Sequence, residues 1–86
     1  MQGIKYSKKA KKFLEKCEED LYKRLKEKIE KLKKEPYPSD CKRIKGRKEK
    51  VFRVRVGNNR ILYVVFNEKE FVFIADIDKR SKIYND

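Results

Sequence analysis

The sequence predicts an α+β domain with helices on one side of a twisted antiparallel sheet. Through the first part of the chain, apolar residues recur at spacings of three and four, which is typical of an amphipathic helix. After residue 50 the pattern changes to alternation and then to nearly continuous apolar runs, which is typical of strands. The length of 86 residues allows one small domain, residues 1–86.

The helical part follows a short predicted strand, Ile4–Tyr6, and begins after Ser7, a good N-cap residue. The pattern fits one long helix, or two helices with a turn near Cys17–Asp20 in which Asp20 caps the second helix. Neither glycine nor proline interrupts the apolar stripe, which consists of Ala10, Phe13, Leu14, Cys17, Leu21, Leu25, Ile29 and Leu32.

The helical part must end by Glu35, because Pro36 and Pro38 cannot continue a helix. A loop over Tyr37–Asp40 follows. The segment Lys42–Gly46 is interpreted as a basic linker that ends in a glycine turn.

Three strands are predicted in the second half, over residues 51–56, 60–66 and 71–77, joined by turns at 57–59 and 67–70. The first strand alternates strictly, so Phe52, Val54 and Val56 are expected to face the core. The other two strands are apolar on both faces, and Tyr63 and Phe66 are expected to be core residues. The sheet face that the helices leave open would need a cover, either the ends of the chain or a partner.

The charge balance indicates an anionic partner. The chain has 26 lysines and arginines against 14 acidic residues, a formal charge of +12. Residues 1–50 hold 19 of the basic and 9 of the acidic residues. No apolar run is long enough to span a membrane and the N-terminus lacks the apolar core of a signal peptide, so a cytoplasmic protein without a membrane partner is expected.

The absence of histidine restricts the possible chemistry. Without histidine and without a CxxC motif, neither a zinc site nor any other metal or cofactor is expected, and Cys17 and Cys41 are interpreted as reduced thiols. A Ser–His–Asp triad and a histidine base are excluded. Acid–base chemistry near neutral pH would have to use tyrosine, lysine, arginine, cysteine or a carboxylate.

A set of arginines and a tyrosine is the candidate site. Arg53 and Arg55 are two residues apart on a predicted strand and therefore project from the same face. Arg60 opens the next strand, and Arg80 and Tyr84 lie four residues apart near the C-terminus. Arginine offers a planar fork of donors that suits phosphate, so this set could hold a phosphate beside a phenol.

Residues 44–84 resemble the RelE/ParE toxin superfamily of type II toxin–antitoxin systems. The resemblance is carried by the run RVRVGNNRILY, by the apolar strand after it and by the terminal pattern K-R-x-x-x-Y. It implies a RelE-like fold, in which a short N-terminal strand and a helical hairpin accompany a three- to four-stranded antiparallel sheet.

The RelE-like branch of this superfamily cleaves mRNA in the ribosomal A site. By position, the resemblance implies a catalytic set of Arg53, Arg55, Arg60, Arg80 and Tyr84. Arg53 and Arg55 stand where lysines are common in the bacterial prototype. Further RNA contacts are expected from Lys45, Arg47, Lys79 and Lys82, and general attraction to ribosomal RNA from the lysines of residues 8–34.

The resemblance also implies a cognate acidic, RelB-like antitoxin that covers the sheet and helices, with the ribosome and mRNA as the other partners. Two alternatives stay open: a ParE-type toxin that inhibits DNA gyrase without nuclease activity, and a non-catalytic small basic RNA-binding protein. Each arginine also has a structural alternative, such as an ion pair between Arg60 and Asp76.

Overall fold

A computed structural model describes residues 3–46 and 48–79. It confirms the predicted α+β class, with two helices packed on one face of a sheet. No helix in these two ranges is long and apolar enough to cross a membrane. In chain order, the elements are β1 (Gly3–Tyr6), α1 (Lys8–Lys16), α2 (Glu19–Lys34), β2 (Lys42–Arg43), β3 (Val51–Val56), β4 (Asn59–Phe66) and β5 (Phe71–Lys79).

The sheet has five strands in the order β1-β5-β4-β3-β2, rather than the three or four antiparallel strands expected. β1 runs parallel to β5, with Gly3 opposite Phe71 and Tyr6 opposite Ile74, so the sheet is mixed. The predicted basic linker also contributes a two-residue strand, because Lys42 pairs with Arg53 at the other edge. The pairing of β1 with β5 joins residues far apart in sequence, which local patterns do not encode. β2 pairs with the next strand along the chain, but two residues are too few to show an alternating pattern.

The helical part forms two helices. Ser7 caps α1 as predicted, since its Oγ accepts a hydrogen bond from the backbone N–H of Ala10 at 3.1 Å. α1 stops at the C-cap Cys17, and the N-cap position of α2 is Glu18, whose side chain makes no capping hydrogen bond. The prediction that Asp20 caps the second helix is therefore wrong. Asp20 lies in the first turn of α2, where a carboxylate suits the positive end of the helix dipole.

The main core lies between the helices and one face of the sheet. Leu25, Ile29 and Leu32 of α2 are fully buried in it, and so is Tyr63 at the centre of β4. The Tyr63 hydroxyl donates a 2.7 Å hydrogen bond to the carbonyl of Pro36, which ties the loop after α2 to the sheet. Burial raises the pKa of Tyr63 far above its usual range, so this phenol stays protonated.

The expectation that Phe66 is a core residue is wrong. Its side chain is 42% exposed at the end of β4 and stacks on Phe71, with 4.7 Å between the ring centroids. Both rings lie on the sheet face opposite the helices. From Ile61 to Phe66, β4 is continuously apolar, so its sequence does not show that the last residue lies beyond the core.

A β-bulge in β5 decides which side chains face the helices. Leu62 pairs with Asp76 and Tyr63 pairs with Ile74, so Ala75 is an extra residue without a partner in β4. Strict alternation from Ile74 would have turned Asp76 and Asp78 toward the core. The extra residue reverses this parity, so that Ile77 is buried in the core and the two aspartates lie on the opposite face.

Ser7 links α1 to this bulge. Its Oγ donates a 2.7 Å hydrogen bond to the carbonyl of Ala75, and its backbone N–H donates to the carbonyl of Ile74 at 3.0 Å. One hydroxyl therefore caps the helix and also satisfies the backbone of the bulge.

We expect Ser7→Ala to lower the free energy of unfolding by about 1–2 kcal/mol, because the helix cap and the bond to the bulge are lost together. Urea denaturation followed by circular dichroism measures this change. Ser39→Ala is the matched control, since Ser39 lies exposed in the loop before β2. Equal stability of the Ser7 and Ser39 variants would contradict the assigned role of Ser7.

Candidate functional site

The turn between β3 and β4 sets the register of the site. Val56 pairs with Asn59, so only Gly57 and Asn58 form the turn. Gly57 has φ +58°, a conformation that side chains other than glycine rarely adopt, as expected for the first central residue of a type II′ turn. The predicted turn at 57–59 is thus confirmed, with Asn59 already in the strand.

This register brings three of the predicted catalytic arginines together. Arg55 lies directly opposite Arg60, and Arg53 lies one pair further along, opposite Leu62. All three project from the sheet face that points away from the helices. Phe52, Val54 and Val56 face the main core, as predicted.

The arginine cluster, meaning Arg53, Arg55 and Arg60, is largely removed from solvent. Arg53 is 7% exposed and Arg60 is 4% exposed, while Arg55 is partly buried. Burial makes a guanidinium group more sensitive to the charges around it, because the surrounding dielectric is lower. Like charges directly opposite on neighbouring strands are also unfavourable. Such an arrangement is suited to an anion that bridges the two strands.

Asp78 is the carboxylate that faces Arg60. The two residues pair across β4 and β5, and Asp78 Oδ1 lies 3.7 Å from Arg60 Nε, which is an ion pair but too long for a good hydrogen bond. The structural alternative that Arg60 pairs with a carboxylate is thus confirmed, with Asp78 as the partner in place of Asp76. The Asp76 carboxylate instead accepts a 2.9 Å hydrogen bond from the backbone N–H of Ile77.

Arg53 extends the positive potential toward the edge of the sheet. It pairs with Lys42 of β2, and its charge reaches Asp40 in the preceding loop. The pKa of Asp40 is lowered chiefly by a 2.8 Å hydrogen bond from Lys28, with Arg53 as a further contribution. The positive charge of Arg53 therefore reaches the loop before β2 as well as the arginine cluster.

The other predicted site residues are divided between the described and the remaining parts of the chain. Lys45 is exposed in the turn after β2, and Lys79 is exposed at the end of β5, where it pairs with Asn59. The pair Lys79–Asn59 is therefore next to the pair Asp78–Arg60 along the two strands. Four predicted residues lie outside the described residues: Arg47, Arg80, Lys82 and Tyr84.

The sequence patterns did not identify Asp78 as part of the site. The predicted strand ended at Ile77, and alternation from Ile74 would have turned Asp78 toward the core, whereas the bulge turns it toward Arg60. Asn59, which was interpreted as a turn residue, precedes Arg60 in β4. Its pairing with Val56 and Lys79 places it on the helix side of the sheet, opposite to the arginine cluster.

Comparison with known proteins identifies relatives of the whole fold. Residues 4–84 match the model of a family described as the ParE toxin of type II toxin–antitoxin systems. A protein of Methanocaldococcus jannaschii that carries the name toxin RelE1 is 43% identical over 65 residues, which cover 72% of this chain and 71% of that protein.

Two solved toxin–antitoxin complexes have a similar structure. The archaeal RelE–RelB complex from Pyrococcus horikoshii OT3 matches with a TM-score of 0.79 at 25% identity, over 93% of this chain and 96% of that chain. The RelB–RelE complex from Methanococcus jannaschii matches with a TM-score of 0.71 at 27% identity, over 93% and 94% of the two chains.

We expect inorganic phosphate to stabilise the protein through the arginine cluster. At ten times its dissociation constant, a ligand of the folded state adds about 1.4 kcal/mol, which is several degrees in Tm for a domain of this size. Thermal unfolding across a phosphate titration should show a smaller shift for Arg60→Gln than for the wild type. Arg43→Gln removes the same charge from the exposed strand β2 and should behave as the wild type. Identical shifts for both variants would show that phosphate acts only on the overall charge.

Proposed function

This chain belongs to the ParE toxin family and is a toxin of a type II toxin–antitoxin system, and we propose that it cleaves messenger RNA on the ribosome. The observation that carries the proposal is the placement of Arg55 opposite Arg60, with Arg53 next to them on the same sheet face. Three guanidinium groups that converge on one face can hold a phosphodiester from several sides. Relatives named RelE support the nuclease reading over other toxin activities.

The proposed reaction is an internal transesterification of RNA. The ribose 2′-hydroxyl loses its proton and attacks the adjacent phosphorus, and the bond from phosphorus to the 5′-oxygen breaks. The products are a 2′,3′-cyclic phosphate and a 5′-hydroxyl, which receives a proton. The reaction therefore needs a base, positive charge around the pentacoordinate phosphorus and a proton donor for the leaving oxygen.

The arginine cluster would supply the positive charge. Arg60 is placed to neutralise the phosphate oxygens as charge develops on them, with Asp78 orienting its guanidinium from the side. Arg80 would add a second guanidinium and a proton donor for the leaving group. Tyr84 is the proposed base, and Arg53 and Arg55 would favour its phenolate, because nearby positive charge lowers the pKa of a phenol.

This set is poor in acid–base groups, which supports dependence on the ribosome. The very high pKa of arginine makes Arg80 a reluctant proton donor, and a phenol has a pKa near 10 in water. Much of the rate would have to come from geometry, with the ribosome bending the message so that the 2′-oxygen lies in line with the leaving oxygen. Efficient cleavage of naked RNA by the purified protein would contradict this part of the proposal.

The proposed partners follow from the relatives and from the charge. Two similar structures are complexes of RelE with RelB, which supports a RelB-like antitoxin as the partner of this chain, and its charge of +12 favours an acidic one. Exposed Lys45 and Lys79 are proposed to contact RNA, together with Arg47 and Lys82. The ribosome as target implies action in the cytoplasm.

One second candidate is favoured by a specific observation. The family model that matches bears the name of ParE, which favours inhibition of DNA gyrase without RNA cleavage. If the protein inhibits DNA gyrase, the arginine cluster and Tyr84 would have no role in toxicity. DNA breaks with intact mRNA after induction would support it.

The decisive experiment is to induce the protein in cells and map mRNA 5′ ends on purified ribosomes. The wild type should give cuts in phase with codons. Arg60→Gln and Tyr84→Phe should each reduce cleavage by about two orders of magnitude or more, because each removes a group that acts in the transition state.

Matched controls are Arg43→Gln and Tyr22→Phe, since both residues are exposed and lie away from the arginine cluster. Both controls should cleave as the wild type does. Unchanged cleavage by the Arg60 and Tyr84 variants would contradict the proposed site.

A further inference from the structure

The lysines of α1 have no ion-pair partner within the described part of the chain. This nine-residue helix contains Lys8, Lys9, Lys11, Lys12 and Lys16 and only one acidic residue, Glu15. None of its lysines forms an ion pair with any residue of 3–46 or 48–79. All five side chains are exposed.

The neighbouring helix α2 has the opposite arrangement. Its cations take part in five ion pairs with carboxylates: Lys23–Glu19, Arg24–Asp20, Lys28–Asp40, Lys31–Glu27 and Lys33–Glu30. The two basic helices therefore differ in whether carboxylates of the described residues pair with their cations.

The helix dipoles show the same contrast. α2 carries two acidic residues in its first turn and three lysines in its last, which stabilises a helix. The first turn of α1 has no acidic residue and contains lysines, so positive side chains lie at the positive end of the dipole. Selection for stability alone would not maintain this arrangement, which is consistent with an external anion.

The α1 lysines lie on the helix side of the sheet, opposite to the arginine cluster, and the two basic surfaces approach each other round the end of β5. Lys9, Lys12 and Lys16 line an open groove between α1 and the C-terminal end of β5, and Lys79 lines the same groove from the strand. Lys79 pairs with Asn59, next to Arg60. The groove also contains Glu18, Asp76 and Asp78, of which Asp78 forms an ion pair with Arg60. Four lysines against the two remaining carboxylates leave its charge positive.

The composition of this face favours nucleic acid over a protein partner. Protein–protein interfaces are depleted in lysine at their centres and enriched in aromatic residues and arginine. The exposed face of α1 presents five lysines and a glutamate, whereas its apolar residues Ala10, Phe13 and Leu14 pack toward the core. Strongly positive surfaces with little exposed apolar area are typical of contacts to a phosphate backbone.

We infer that the lysine face of α1, formed by Lys9, Lys12 and Lys16 with Lys79 at its end, binds the backbone of an RNA strand that passes round the end of β5 from the arginine cluster. The identification of that strand as the message being cut rests on the proposed function. The surface would hold the strand on one side of the cleavage position, while α2 would contribute only general attraction.

The test compares two triple variants with the same change in net charge. K9Q/K12Q/K16Q removes the α1 lysines, and K23Q/K31Q/K33Q removes paired lysines of α2. The probe is a short fluorescein-labelled single-stranded RNA with 2′-O-methyl riboses, which cannot be cleaved. Fluorescence anisotropy gives its affinity across a salt series, and circular dichroism confirms that each variant is folded.

Each phosphate contact to a single strand contributes about 0.7 to the slope of log affinity against log salt. The α1 variant should therefore lose about 2 from this slope and bind more weakly at low salt. The α2 variant should retain nearly all of the wild-type slope. Equal losses in the two variants, or no measurable binding by the wild type, would overturn the inference.

Two further outcomes would also overturn it in favour of another ligand. The α1 variant could bind the single strand normally but bind empty ribosomes more weakly than the wild type does. This result would assign the lysine face of α1 to ribosomal RNA. Normal RNA binding with weakened binding to RelB of the Methanococcus jannaschii complex would assign it to an acidic protein. The anisotropy assay requires no cleavage, so it tests the lysine face of α1 independently of the proposed function. If the wild-type protein did not cleave mRNA on ribosomes, only the proposed function would be contradicted.

Discussion

The site depends on the register of the β3–β4 hairpin. A two-residue turn with glycine at its positive-φ position places Arg55 directly opposite Arg60, and the period of two places Arg53 on the same face. A shift of one residue would send these arginines toward the apolar core, where an uncompensated guanidinium is very costly. The hydrophobic face of the hairpin therefore enforces the geometry of the charged face.

A second constraint comes from β5, where the bulge at Ala75 turns Asp78 toward Arg60. Ser7 donates a hydrogen bond to the backbone carbonyl of Ala75 in the bulge, and it also caps α1. The start of the lysine-rich helix and the orientation of the arginine cluster are thus connected through one serine. This connection explains how a small domain can orient two basic surfaces relative to each other with few contacts.

Local signals were sufficient for much of the fold. The Ser7 cap, the end of α2 before Pro36 and the bounds of β3 were predicted because each depends on a few neighbouring residues. The parallel pairing of β1 depends on β5, far away in sequence, and no local pattern encodes it. β2 has only two residues, which is too short for an alternating pattern to appear. Arg53 and Arg55 were predicted to share a face from spacing alone, whereas Asp78 required knowledge of the bulge, which reverses the alternation on which such predictions rest.

The most direct test of the account is the structure of the protein on a ribosome that carries a message with a 2′-O-methyl ribose at the cleavage position. If the arginine cluster holds the scissile phosphate, the phosphate after this ribose lies within hydrogen-bonding distance of the guanidinium groups of Arg55 and Arg60. We also expect the flanking strand to pass Lys79 toward α1. A message that contacts another surface, with both arginines directed only at protein groups, would contradict the central claim.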